Sequence, residues 1–310
     1  MPPQLTGNMP NHLAPGIFKI VGTQLGGRES FYSQMQVVST SIRNYEDALA
    51  ATGLPIAVEK AQGEDIQSFD PIEGSTKRFV HKTYAIGFEM SEEAEEDDLY
   101  KSDGSMLVEA SKGIADSLAE RVELEAHRPF NTEGFSGTAF TVLPDSSTLF
   151  ATSHNVIVGA QGISQGNRPS TNADFNITSY QAALTQFRRW RDDQGKRVPG
   201  TSTPMDLWVP PELEYAALEV VKSPARPDQP NPGVINSSGG RVNVKVNPYL
   251  DDTDSWFIKG SKHFVYFIWR WRPRMDSFDD QRKRVSVFVA YARFVVAPMH
   301  WLGYYGSPGE

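Results

Sequence analysis

The chain has 310 residues, 39% of them hydrophobic and 22% charged, which suffices for a substantial core or two domains and excludes a wholly disordered protein. A net charge of −8 and a pI near 5.4 argue against a dedicated nucleic-acid binder, which needs a basic field to displace counterions from phosphates. The absence of cysteine excludes disulfides, thiolate metal sites and cysteine nucleophiles.

The N-terminal stretch MPPQLTGNMPNHLAPG has neither the cationic start nor the apolar run of a secretory signal. The strongest apolar run, Phe264 to Trp269, is far shorter than the ~20 residues that span a bilayer. The chain is therefore expected to be soluble and intracellular where it is made, with no membrane partner. Residues 1–16, rich in proline and poor in apolar groups, read as a loose arm. Between Ile17 and Ala51, Phe31, Tyr32, Met35, Val37 and Val38 predict a short helix and a strand.

A polar, hairpin-like excursion follows between Leu54 and Met90. From Glu59 to Phe79 its sizeable apolar side chains are only Ile66, Phe69, Ile72 and Phe79. Ordering each backbone residue costs about 1–2 kcal/mol, and a handful of buried side chains at roughly 1.5–3 kcal/mol each cannot offset twenty or so ordered residues. Either the arm is disordered or another molecule supplies the missing surface. The return limb, Phe79 to Phe88, has strand periodicity with an irregularity around His81–Lys82.

Ser91 is placed to cap an acidic turn, Glu92 to Asp98. Ser102 or Asp103 then caps a long helix whose apolar stripe is Leu107, Ala110, Ile114, Leu118, Val122 and Ala126, ended by Arg128-Pro129. About 27 residues at ~1.5 Å rise give roughly 40 Å. Gly113 costs about 1 kcal/mol there relative to alanine, so packing must dominate.

Loops and short strands are expected from Phe130 to residue 176, then a helix from Thr178 to Asp193 and a buried strand at Leu207–Val209. Pro210-Pro211 opens a third helix through Val221. Residues 223–240 form a turn-rich loop, Val242–Val246 a strand, and Asp251–Asp254 a turn into Trp256–Ile258. Two strongly β segments, Phe264–Trp271 and Val285–Val296, are separated by the charged RPRMDSFDDQRKR connection and belong to a sheet covered on both faces. The fold class is α+β.

Candidate chemistry is sparse. Ser153-His154 is a tempting nucleophile and base, yet adjacent residues seldom reach triad geometry and no G-x-S-x-G elbow surrounds the serine. The six histidines lack H-E-x-x-H spacing, the acidic run lacks the pattern of a calcium loop, and no phosphate-binding glycine motif is present. No metal, cofactor or catalytic site is therefore expected. Two basic clusters, Arg188 to Arg197 around Trp190 and Arg270 to Arg284, suit ion pairing between subunits better than phosphate binding in so acidic a chain. A lysine–asparagine cross-link through Lys60, Lys77 or Lys82 is the weaker reading of those lysines.

The order of these stretches carries a resemblance. A polar hairpin, YAIGFEMSEEAEEDDLY, a long helix closing in AHRPFN, then TAFTVLPDSSTLFATSHN, NPYLDDTDSWFIKG and a closing HWLGYYGSPGE resemble the major capsid proteins of tailed phages, especially the Mu-like major head subunit group. The match runs from about residue 17 to the end, with Ala-His-Arg-Pro departing from the usual small residues before Asn131.

The resemblance implies a Hong Kong 97-type shell fold. It assigns 1–53 to an N-terminal arm, 54–85 to an extended loop, 86–132 to a peripheral domain with a spine helix, 133–284 to an axial domain, and 285–310 to a C-terminal return strand and tail. It implies a non-enzymatic shell subunit of the virion, assembled in the host cytoplasm, partnering itself as hexamers and pentamers. A portal, a separate scaffold and decoration proteins are further implied partners, with packaged DNA touched weakly and without sequence specificity. Glu59, Lys60, Glu64, Asp65, Lys77 and Arg78 are the expected interface residues. The alternatives are an encapsulin-like nanocompartment shell and a serine hydrolase using Ser153 and His154.

Overall fold

The computed structural model describes residues 29–51, 53–70, 73–91, 93, 94, 97, 106–137, 142–154, 165–192, 194–200, 203–226, 228 and 234–310. The predicted loose arm, most of the acidic run and the Ser102 and Asp103 caps lie outside them. In chain order the elements are α1 (Tyr32–Met35), β1 (Val37–Thr40), β2 (Tyr45–Ala51), β3 (Glu73–Val80), β4 (Lys82–Ser91), α2 (Met106–His127) and α3 (Thr132–Ser136). There follow α4 (Ile177–Arg189), β5 (Pro204–Val209), α5 (Glu214–Lys222), β6 (Asn243–Val246), β7 (Trp256–Gly260), β8 (Phe264–Asp280), β9 (Val285–His300) and β10 (Tyr304–Ser307). The fold is mixed α and β.

The first lobe is the sheet β1-β8-β9-β4 with α2 across one face. Ile114, Leu118, Val122 and Ala126 of the predicted stripe pack on Phe267, Trp269, Ala290, Ala292, Phe294 and Val296. Leu107 joins Met90, Ala115 and Phe288 one turn further out. Gly113 sits on the exposed side of this helix. The α-helix stops at His127, and Arg128–Phe130 tightens into a 3₁₀ turn with Pro129 in it, because proline cannot donate to the helical ladder. Ser91 accepts a hydrogen bond from the Ala94 N–H at 3.2 Å, as a cap should.

β8 and β9 outrun their predicted lengths. The charged stretch expected to connect them is mostly strand: β8 continues to Asp280, and the turn is only residues 281–284. Its alternately half-buried and exposed residues pair with the apolar start of β9, so cross-strand contacts override the polarity of the segment. Residues 264–280 thereby belong to the first sheet. On the opposite face of that sheet, Ala48 and Phe79 of the β2–β3 hairpin cover Ile268, Val295 and Ala297.

The second lobe is the sheet β10-β7-β5-β6, with α3, α4 and α5 around a core rich in aromatics. Phe130, Phe150, Phe257 and Tyr304 meet there with ring centroids 5.0–6.2 Å apart. Asn176 caps α4 reciprocally with Ser179. That helix ends at Arg189, short of the predicted Asp193, because Trp190 turns out of it and donates its indole N–H to the Gly166 carbonyl at 3.1 Å. The tail strand β10 pairs with β7, so the last residues close the second sheet.

A short N-terminal rivet joins the lobes. Glu123 of α2 accepts from the backbone N–H groups of Phe31 and Tyr32, each at 3.1 Å. Gln36 donates to the Ala126 carbonyl. From the other lobe Tyr304 donates to the Met35 carbonyl and Lys259 to that of Gln34, while Lys245 reaches Gln34 Oε1 at 3.1 Å.

Candidate intersubunit surfaces

The hairpin begins earlier than its composition suggests. Its outgoing limb is β2, from Tyr45, and its return limb β3 pairs with it in antiparallel register. The chain then breaks at His81 and enters β4, which pairs with β9 instead; this is the predicted irregularity at His81–Lys82. Between the limbs, residues 53–70 form no helix or strand, and all but the half-buried Pro55 are exposed. Ile66 is 81% exposed, and Leu54, Ile56 and Val58 are each more than half exposed. Large apolar groups left exposed together in one segment are unusual on the surface of a soluble monomer.

The hairpin has two unlike faces. One row, Ala48 and Phe79, is buried on the sheet. The other presents Tyr45, Leu49 and Val80 to solvent around a bidentate Asp47–Arg78 pair. Ser75 donates to the Pro144 carbonyl, which ties the hairpin to its own second lobe at one point.

The six expected interface residues fall into two groups. Glu59, Lys60, Glu64 and Asp65 lie on the exposed tip, where Gly63 turns at φ +89° and the Ala61 N–H donates to Glu64 at 3.3 Å. Lys77 and Arg78 lie on β3. Arg78 is held by Asp47 and lies 3.7 Å over the Tyr45 ring, and Asp47 is kept below the ordinary carboxylate range by that hydrogen-bonded guanidinium. Composition alone does not reveal this partner, because it depends on cross-strand register.

The Ser153–His154 pair is not built as a nucleophile and base. His154 is buried, its Nδ1 2.9 Å from Asp145 Oδ2 and its Nε2 2.9 Å from Asn167 Oδ1. Asn167 Oδ1 also accepts from the Ala151 N–H, and its amide donates to the Leu149 and Tyr304 carbonyls. With both ring nitrogens facing acceptors and the ring stacked at 4.6 Å on Trp301, the imidazole is a brace. Ser153 is exposed, and among the described residues no hydrogen bond joins it to His154.

Among the described residues no group of three or more acidic or histidine side chains is placed to hold a metal ion. No described helix is long and apolar enough to cross a membrane. A groove of about 750 Å³ beside α4, lined by Gln165, Gln181, Gln186, Arg189 and Trp190, is wide open to solvent.

The chain thus combines two lobes, a long helix and a hairpin whose 53–70 connection is exposed. A family model described as phage capsid protein matches residues 74–306, and the chain belongs to that family. It is a major capsid protein, located in the virion shell. No curated protein matches the sequence.

Solved structures show the shared fold. The capsid of cyanophage P-SCSP1u superimposes with a TM-score of 0.60 at 8% identity, covering 90% of this chain and 88% of that one. A chain of Microbacterium phage Oxtober96 gives 0.56 at 10% identity, covering 91% and 92%. The capsid of bacteriophage JBD30, decorated with minor capsid protein trimers, gives 0.56 at 14% identity, covering 72% and 92%.

Proposed function

We propose that this major capsid protein builds an icosahedral head of the Hong Kong 97 type, of the Mu-like group, around the DNA of a tailed phage. The observation that carries this reading is the 53–70 arm, exposed along its length and bearing large apolar side chains. Laid over the next copy, the arm buries those groups and gains backbone partners. Copies associate head to tail into hexamers and pentamers.

In this reading residues 1–53 are the N-terminal arm, 54–85 the extended loop, 86–132 the peripheral domain with α2 as spine, 133–284 the axial domain and 285–310 the return strand and tail. Within those bounds, the pairing of β8 with β9 and of β10 with β7 supports grouping 264–280 with the peripheral side and β10 with the axial side instead. Assembly takes place in the host cytoplasm with a portal and a separate scaffold. Decoration by minor proteins, as in the JBD30 capsid, fits an outer surface with exposed apolar groups. An acidic wall touches packaged DNA weakly.

Size-exclusion chromatography with negative-stain imaging of the purified chain, alone and with its scaffold, tests this. Closed shells with hexameric and pentameric units are expected. A stable monomer under every assembly condition overturns it.

A further inference from the structure

At the root of the hairpin the first sheet holds basic groups that the described residues do not fully satisfy. His81 is buried with Nε2 3.5 Å from Glu46 Oε1; burial chiefly, with Arg293 and Arg270 adding to it, holds its pKa below the usual value. Arg293 donates one N–H to Asn44 Oδ1 at 2.6 Å. Among the described residues, Arg270 Nη1, Arg293 Nε and His81 Nδ1 are buried without a hydrogen-bond partner. Both guanidinium groups thus lie near His81, whose carboxylate partner is Glu46. Native proteins seldom leave buried donors unmet, because each costs about 1–3 kcal/mol. A guanidinium fork is matched by a carboxylate.

The backbone beside this recess is open as well. β1 pairs with β8 only from Tyr266 to Trp269, so beyond Arg270 that edge of β8 has no strand partner among the described residues. The edge carries Arg270, Arg272 and Arg274, with no acidic residue before Asp276.

The arm is complementary to it. Leu54, Ile56 and Val58 alternate, so in an added strand their backbone groups all point one way and Pro55, which has no N–H, points the other. Glu59 follows at once, and residues 53–70 hold four carboxylates against the single Lys60. Resting on the shell reading above, we propose that Leu54–Val58 of a second copy adds antiparallel to the open edge of β8 beyond Arg270, with its Glu59 carboxylate seated between Arg270 and Arg293. Antiparallel pairing is required: with Glu59 at Arg270, the five preceding residues run back along the edge toward Arg274.

A cysteine-free chain makes the test direct. Glu59→Cys with Arg270→Cys, oxidised in imaged particles, gives a ladder of disulfide-linked multimers on a non-reducing gel. Particles without cross-links, or closure within one chain, overturn the proposal. In parallel, Arg270→Glu lowers particle yield by about tenfold or more, and Glu59→Arg in the same chain restores it, with monomer melting unchanged. Loss without restoration also overturns it. So does an Arg270→Glu variant that assembles normally and loses only affinity for inorganic phosphate. Wild-type shells with a negative cross-linking result defeat this contact alone, whereas no wild-type shells defeat the reading beneath it.

Discussion

Arg78 and Asp47 face one another across the hairpin and share two hydrogen bonds, 2.8 Å from Nε and 3.0 Å from Nη2. The planar fork fixes the register of two strands that have few apolar contacts to fix it otherwise. Arg78 therefore shapes the arm from within, and Glu59, Lys60, Glu64 and Asp65 are the exposed tip residues that the proposed neighbour contact would use.

Arg78→Glu is expected to set two carboxylates opposite each other and fray the hairpin. Proteolysis within 45–80 should quicken and particle yield fall, while the melting of the two lobes changes little. Exchanging the charges, Asp47→Arg with Arg78→Asp, restores both. Unchanged yield in the single reversal rejects the role.

Glu123→Ala removes the acceptor for two backbone donors in a buried place, at about 1.5–3 kcal/mol for each charge-assisted bond. The expected result is a lower melting temperature and faster hydrogen exchange at 31–36, where α1 rivets the lobes. Exchange there that matches the parent protein contradicts the rivet.

Ser153→Ala should change stability by less than about 0.5 kcal/mol, as exposed substitutions do. His154→Ala should cost about 2–4 kcal/mol, since it strips a partner from Asp145 and Asn167 and opens a void beside Trp301. Denaturant melts of the two variants decide it. Equal effects contradict the brace.

Acid should loosen the fold. Burial pushes His127, His263 and His300 down to about 4 from 6.5, with Lys259 adding to the effect at His263 and His154 at His300. Between those values the unfolded chain binds more protons than the folded one, so stability is complete above about pH 6.5 and falls as pH drops toward 4. His127, fully buried, accounts for roughly 3 kcal/mol of that loss. Melting curves from pH 7.5 to 4.5 should show the decline, with a shallower slope in His127→Gln. A flat profile contradicts it.

Much of this architecture is legible in the residues. The stripe from Leu107 to Ala126 seats α2, the Arg128-Pro129 stop is real, and the break at His81 was readable from the changed periodicity. The outgoing limb at Tyr45 and the long extension of β8 were not, for one reason. Both are polar strands whose stability comes from a partner distant in sequence, β3 for the one and β9 for the other. The recess at Arg270 and Arg293 is hidden in the same way: it exists only once β8, β9 and the hairpin root are brought together.

Hydrogen exchange at residues 53–70, compared between the free chain and assembled particles, tests the central claim most directly. The account predicts fast exchange in the free chain and strong protection in particles, concentrated at Leu54 to Glu59. Equally fast exchange in both states, with shells intact, would contradict it.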